Sequence, residues 1–194
     1  MIDLDPYKLI LASKSPRRHE LLKGLEIPFE VRTKDTDESF SEKLQHAEIA
    51  EFLARIKGEA FLSEIKPDEL IVTADTIVWL GDRVFNKPQS AVEAVEMIHT
   101  LSGRMHEVIT GVSLLTADRQ HVFHDTTKVY FGEVDREDIA HYVERFKPFD
   151  KAGAYGIQEW IGYVGIERIE GSFYNVMGFP TQKFYIELQK FLKP

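Results

Sequence analysis

The chain has no cysteine. That excludes disulfides, thiolate metal sites and a thiol nucleophile, and it fits a reducing compartment. A long hydrophobic run is missing as well. The first apolar stretch, residues 9–12, is too short for a signal-peptide core or a membrane span, and Asp3 and Asp5 stand where a leader would be basic. These absences predict a cytoplasmic protein with no membrane association. There is no basic excess either: 24 Lys and Arg face 32 Asp and Glu, a net charge of −8. Such a surface repels a nucleic-acid backbone, so no nucleic-acid partner is expected. A small anion is still admissible wherever basic side chains converge. No repeat, low-complexity tract or Pro/Gly/Ser-rich linker breaks the 194 residues, which predicts a single domain over 1–194.

Within those bounds strand and helix signals alternate, predicting a mixed α/β fold. Residues 8–12 read as a short buried strand. A helix follows, with Ser15 as N-cap, Pro16 at the first helical position and Gly24 at the end. Residues 29–32 read as a strand and 33–41 as an acidic loop. Residues 46–65 predict a long amphipathic helix with Ile49, Leu53, Ile56 and Ala60 on one face. The β-rich run 70–80 turns at Gly81-Asp82 into a hairpin. Then come a helix at 91–101, a second hairpin from 106–116 and 121–133, and a helix at 136–145. A glycine-bearing loop at 150–158, a strand at 163–169 and a helix at 181–192 complete the chain.

The chemistry begins at Ser13-Lys14-Ser15-Pro16-Arg17-Arg18. A helix N-terminus presents free amides and a positive dipole end, yet this one carries two arginines. An anion would resolve the conflict, and guanidiniums, hydroxyls and amides together suit a polyphosphate. A solvated basic patch is the competing reading. Asp75 interrupts an otherwise apolar strand. A buried carboxylate needs a partner, so it is either a metal or water-activating group or a structural residue held by amides or an arginine. Lys57 lies on the flank of the buried face of the long helix, where a snorkelling amine is the plain alternative. Lys87 near the hairpin is equally open to a solvated reading. In Asp35-Thr36-Asp37-Glu38 the carboxylates suit Mg²⁺ or Mn²⁺, or simply solvate a loop. Gln158 closes the glycine loop with an amide able to pair with a base edge. The seven histidines lack metal-ligand spacing.

Five segments then occur in one order: Leu11-Ala12-Ser13-Lys14-Ser15-Pro16-Arg17-Arg18, Ala74-Asp75-Thr76-Ile77-Val78, Asn86-Lys87-Pro88, Leu101-Ser102-Gly103 and Asp150-Lys151-Ala152-Gly153-Ala154-Tyr155-Gly156-Ile157-Gln158. In this order, and in the closing stretch 171–180, the chain resembles the Maf family of nucleoside triphosphate pyrophosphatases, also called septum-formation inhibitors. The resemblance runs from about residue 9 to the C-terminal helix. It implies a mixed twisted sheet flanked by helices, with two lobes around a deep cleft, similar to inosine triphosphate pyrophosphatases. It implies a divalent cation (Mg²⁺ or Mn²⁺), frequent homodimers, and house-cleaning hydrolysis of a triphosphate to monophosphate and pyrophosphate.

Residue by residue, the resemblance puts the catalytic aspartate on Asp75 and the acidic-loop glutamate on Glu38, both towards metal. The phosphate-binding arginines fall on Arg17 and Arg18 beside Ser13, and two further cations on Lys57 and Lys87. Arg17, Thr76 and Gln158 match the marks of enzymes acting on dTTP and UTP, with modified pyrimidine nucleotides as further candidates. The 7-methyl-GTP branch differs at the last two positions. Lys14 departs from the family, which favours a small residue there. An inosine-triphosphate-type or 7-methyl-GTP pyrophosphatase, and a nucleotide-binding regulator of cell division, stand as rival readings.

Overall fold

Leu9, Ile10 and Leu11 are almost wholly excluded from solvent and form strand β1 (Lys8–Leu11). It lies parallel to both β2 (Glu30–Val31) and β3 (Glu69–Leu80), a pairing that suits a strand buried on both faces. The computed structural model describes residues 2–193. Among them β4 (Arg83–Phe85) pairs antiparallel with β3 across the expected turn, where Gly81 adopts φ 64°. The order continues through β5 (Met105–Leu115), β6 (Gln120–Phe131) and β7 (Ile166–Glu170), giving a seven-stranded mixed sheet β2-β1-β3-β5-β6-β7. The helices are α1 (Pro16–Lys23), α2 (Ala47–Glu59), α3 (Ala91–Leu101), α4 (Arg136–Phe146), α5 (Trp160–Gly165), α6 (Phe173–Met177) and α7 (Thr181–Phe191). None of the described residues forms a helix long and apolar enough to cross a membrane.

The chain divides into two compact units, and β3, β5 and β6 each run from one into the other. The first comprises Met1–Asp75, Thr110–Asp125 and Gly178–Pro194. Here Ile10, Phe61, Ile71 and Leu115 pack together, and α2 lies close against β5. A Cβ at Gly111 would sit 2.2 Å from the Ala50 carbonyl oxygen, so only glycine lets helix and strand meet there. The second unit comprises Thr76–Ile109 and Thr126–Met177. Its core joins Ala94, Ile98 and Leu101 of α3 to Ile139, Tyr142 and Val143 of α4, with Val78, Phe85 and Phe131 from the sheet.

Several local expectations are corrected. The helix expected over 46–65 stops at Glu59, because Phe61 and Leu62 donate to carbonyls three residues back (2.9 and 3.0 Å), tightening the chain into turns well before Pro67. The strand expected from Tyr163 starts at Ile166, and residues 160–165 are helical. Ile161 and Gly165 are buried four apart, and a Cβ on Gly165 would press on the Phe131 ring at 2.9 Å. Ser15 occupies the N-cap position of α1, but its hydroxyl makes no capping bond. Its amide donates instead to Ser13 Oγ at 3.2 Å, closing a serine turn ahead of the helix. Gly24 ends α1 in a right-handed conformation, φ −64°, so its conformational freedom is not used. Helix α6 was not foreseen.

Candidate active site

Strand β3 is buried from Glu69 onwards, and Asp75 continues that burial at 9% exposure. Alternation puts Thr73 and Asp75 on one face of the strand, and α2 runs along it. Thr73 Oγ1 donates to the Ala54 carbonyl at 2.5 Å, and one residue short of a turn later Lys57 Nζ donates to Asp75 Oδ1. Three helical residues advance about 4.5 Å and two strand residues about 6.6 Å, so the two contacts stay roughly in step. Gly58 helps: a Cβ there would already meet Ser113 Oγ and Gln120 Nε2 at 3.2 Å.

Lys57 does not snorkel into water. Its side chain is 15% exposed, and the ammonium also lies 3.0 Å from Glu38 Oε1. Of the acidic loop, Glu38 is the residue that reaches Lys57. Asp35 pairs with Lys14 at 2.6 Å on the surface, and Asp37 accepts the Ser39 amide at 2.9 Å. The Lys14 pair is so exposed that it adds little to stability.

The arginines of α1 join this cluster. Arg18 Nε donates to the Gly178 carbonyl at 2.9 Å. Burial pushes the Arg18 guanidinium below the usual arginine range. The charges of Asp75 and Glu38 pull it back, and neighbouring Arg17 adds to the depression. Ser13 is buried beside them, its carbonyl accepting from His19 Nε2 at 2.6 Å. Three cations against two carboxylates leave Arg17, Arg18, Lys57, Glu38 and Asp75 one charge positive, inside a chain of net charge −8. That sign suits an anion. The carboxylates supply the hard oxygen donors that a divalent cation takes. No group of three or more His, Cys, Asp or Glu that could hold a metal ion occurs among the described residues.

Thr76, Lys87 and Gln158 belong to the second unit. Thr76 is half-buried on the opposite face of β3 from Asp75, and Lys87 is exposed between β4 and α3. The motifs at 86–88 and 150–158 touch: Gly153 donates its amide to the Asn86 carbonyl at 3.2 Å. Gly153 takes φ 67°, and a Cβ on it would lie 2.9 Å from Val78 Cγ2. Gln158 lines a cavity of about 480 Å³ with Ile157, Tyr163, Ile166 and Phe173. Its Oε1 is buried with no hydrogen-bond partner.

These elements carry the segments that pointed to a family, and the Maf-like protein model matches residues 8–191. The chain belongs to the Maf family. A protein of Bacteroides thetaiotaomicron named dTTP/UTP pyrophosphatase is 51% identical, covering 97% of this chain and 98% of its own length. One of Flavobacterium johnsoniae with the same name is 48% identical, covering 94% of each chain. Among solved structures, a nucleoside-triphosphatase / dITP/XTP pyrophosphatase from Mycobacterium abscessus covers 94% of this chain and 93% of its own at 16% identity and a TM-score of 0.45.

In this Maf-family chain the buried polar group that sequence reasoning missed surrounds Lys151, Tyr142 and Glu159. Lys151 stands inside a quoted motif, but nothing in a glycine loop tells a buried lysine from a solvated one. Tyr142 shares its helical spacing with Ile139 and Val143 and reads as plain core.

Proposed function

We propose that this Maf-family chain is a nucleoside triphosphate pyrophosphatase acting on dTTP and UTP, with modified pyrimidine triphosphates in the same class. The observation that carries the reading is Lys57 held between Glu38 and buried Asp75, with Arg17 and Arg18 in the same positive cluster. Arg17, Arg18, Lys57 and Lys87 bind and neutralise the phosphates. Ser13 supports the arginines. A water adds to phosphorus at the α–β anhydride, that P–O bond breaks, and pyrophosphate leaves the nucleoside monophosphate. Asp75 accepts the water's proton.

Glu38 and Asp75 would hold Mg²⁺ or Mn²⁺. Two carboxylates with substrate phosphates and water are the donor set such ions take at nucleotide sites. The ion supplies charge neutralisation and a more acidic water when bound. Gln158 and Thr76 select the base. The unpartnered Gln158 Oε1 supports this, because a uracil or thymine ring N–H offers the donor it lacks. We read the two units as one working domain, in a cytoplasmic protein that binds no nucleic acid. We read the protein as a homodimer, as the family resemblance implies.

The test is pyrophosphate release from dTTP, UTP, ATP, GTP and 7-methyl-GTP with Mg²⁺ or Mn²⁺. We expect kcat/KM for dTTP and UTP to exceed the purines by about tenfold or more, since a wrong base leaves buried polar groups unpaired. Preference for 7-methyl-GTP would overturn the pyrimidine reading. Binding without cleavage of any triphosphate would leave a nucleotide-binding regulator in its place.

A further inference from the structure

Glu159 stands at the N-terminal boundary of α5 and makes no side-chain cap to that helix. Its carboxylate turns back beneath the loop that precedes it. Oε1 lies 3.1 Å from Lys151 Nζ, and Oε2 accepts a hydrogen bond from the Tyr142 hydroxyl. The same hydroxyl oxygen accepts the amide of Gly156 at 3.0 Å. Lys151 is held from its other side by Asp150 at 2.8 Å.

These contacts converge on four residues. The Glu159 amide donates to the Gly156 carbonyl at 3.0 Å, closing a turn with Ile157 and Gln158 in the middle. One phenol oxygen therefore grips both ends of that turn, through the Gly156 amide and the Glu159 carboxylate. Ile157 is buried at 7% exposure, which fixes the turn from the core side, and Gln158 beside it is partly buried where it lines the cavity. There is no slack. A Cβ at Gly156 would lie 2.9 Å from Glu159 Cδ and 3.1 Å from Lys151 Cε. A connector loop needs none of this, and burying a Lys–Glu pair is unfavourable unless its geometry is well satisfied. An amide that reads a base edge does need it, because its donor and acceptor must be held to about half an ångström.

We infer that Tyr142, Glu159 and Lys151 are positioning residues for base selection, a clamp that fixes the 156–159 turn and with it Gln158. The inference rests on the pyrimidine reading proposed above. Its first test compares kcat and KM for UTP and GTP in the wild type, Tyr142→Phe, Glu159→Gln and Gln158→Ala. In Tyr142→Phe the UTP-over-GTP ratio of kcat/KM falls about tenfold, chiefly through KM for UTP, with kcat changing less than about threefold. Added to Gln158→Ala, the same change lowers the ratio no further, because clamp and reader act as one unit. General damage would instead lower UTP and GTP turnover together and leave the ratio intact, and that result in a folded protein overturns the inference. If Tyr142→Phe fails to fold, Glu159→Gln carries the same criteria.

The second test is amide hydrogen exchange without nucleotide. Tyr142→Phe should speed exchange at Gly156 and Glu159 by about tenfold or more, a local opening rather than a global one. Unchanged exchange overturns the clamp whatever the substrate. A wild type with no preference for UTP overturns the pyrimidine reading and the selectivity role with it, and the exchange result distinguishes that outcome from failure of the clamp.

Discussion

Two lysines in this chain are each set between two carboxylates, one in each compact unit. Lys57 stands between Glu38 and Asp75, and Lys151 between Asp150 and Glu159. Their burial is similar, at 15% and 9% side-chain exposure. The difference lies in what surrounds them. Glu159 is also tied to Tyr142, whose hydroxyl is tied to the backbone. The cluster around Lys57 instead includes Arg17 and Arg18, which leave it with an excess of positive charge. A network without surplus positive charge holds a shape, whereas one with it suits an anionic ligand. The same pairing chemistry thus serves a tied turn in one unit and a positively charged cluster in the other, and the surplus charge tells them apart.

Removing the carboxylate itself should break the contrast most sharply. Asp75→Asn keeps the shape of the side chain but deletes the base, so kcat is expected to fall by about two decades or more with melting temperature little changed. Near-normal turnover in the folded variant would make the Lys57 cluster as structural as the Lys151 one. Next in size is Lys57→Met, which leaves Asp75 buried without its cation. We expect kcat/KM to fall by about tenfold or more and stability by about 1–3 kcal/mol, since removing one partner of a buried pair is costly even with Arg18 still nearby. Steady-state kinetics and thermal melts on one preparation check both. A stability loss with unchanged kinetics would turn Lys57 into a second Lys151.

Much of the first cluster was legible beforehand, and the reason is local. Asp75 stands out because its neighbours in β3 are apolar, and Arg17 and Arg18 stand out because they oppose a helix dipole. Each conflicts with its own surroundings. Lys57 was ambiguous because helical spacing locates a side chain on a face but not what the face meets. That Thr73 and Asp75 lie opposite Ala54 and Lys57 is a tertiary register, and no local pattern encodes it. The second network was invisible for the opposite reason: each member is locally unremarkable, and only convergence on one hydroxyl gives it meaning. The same limit misplaced residues 160–165, where glycines read as strand breaks serve close packing of a helical turn.

A third buried charge gives the comparison a neutral standard. Glu69, 3% exposed at the start of β3, accepts both ends of the Arg32 guanidinium, at 2.7 and 3.0 Å, and the Lys66 amide at 3.1 Å. This pair carries no surplus positive charge and includes none of the residues assigned to substrate. The Arg32 hydrogen bonds, helped by the Lys66 amide, hold the Glu69 carboxyl down at about 2 against an ordinary 4.5, although burial opposes them. A depressed carboxyl stabilises the fold above its unfolded value. That contribution is lost as pH falls from about 4.5 through about 2. Arg32→Ala should therefore lower stability near neutrality by about 2 kcal/mol, roughly 4–8 °C at this size. The gap between wild type and variant should be constant above about pH 5 and narrow towards about pH 2. Thermal melts between those limits measure it, and kcat at pH 7 should change less than about twofold, unlike that of Lys57→Met. A gap that stays constant down to pH 2 would mean that Arg32 acts by packing alone. A large loss of kcat without loss of stability would draw Arg32 and Glu69 into the reactive cluster, and surplus positive charge would no longer separate catalytic clusters from structural pairs.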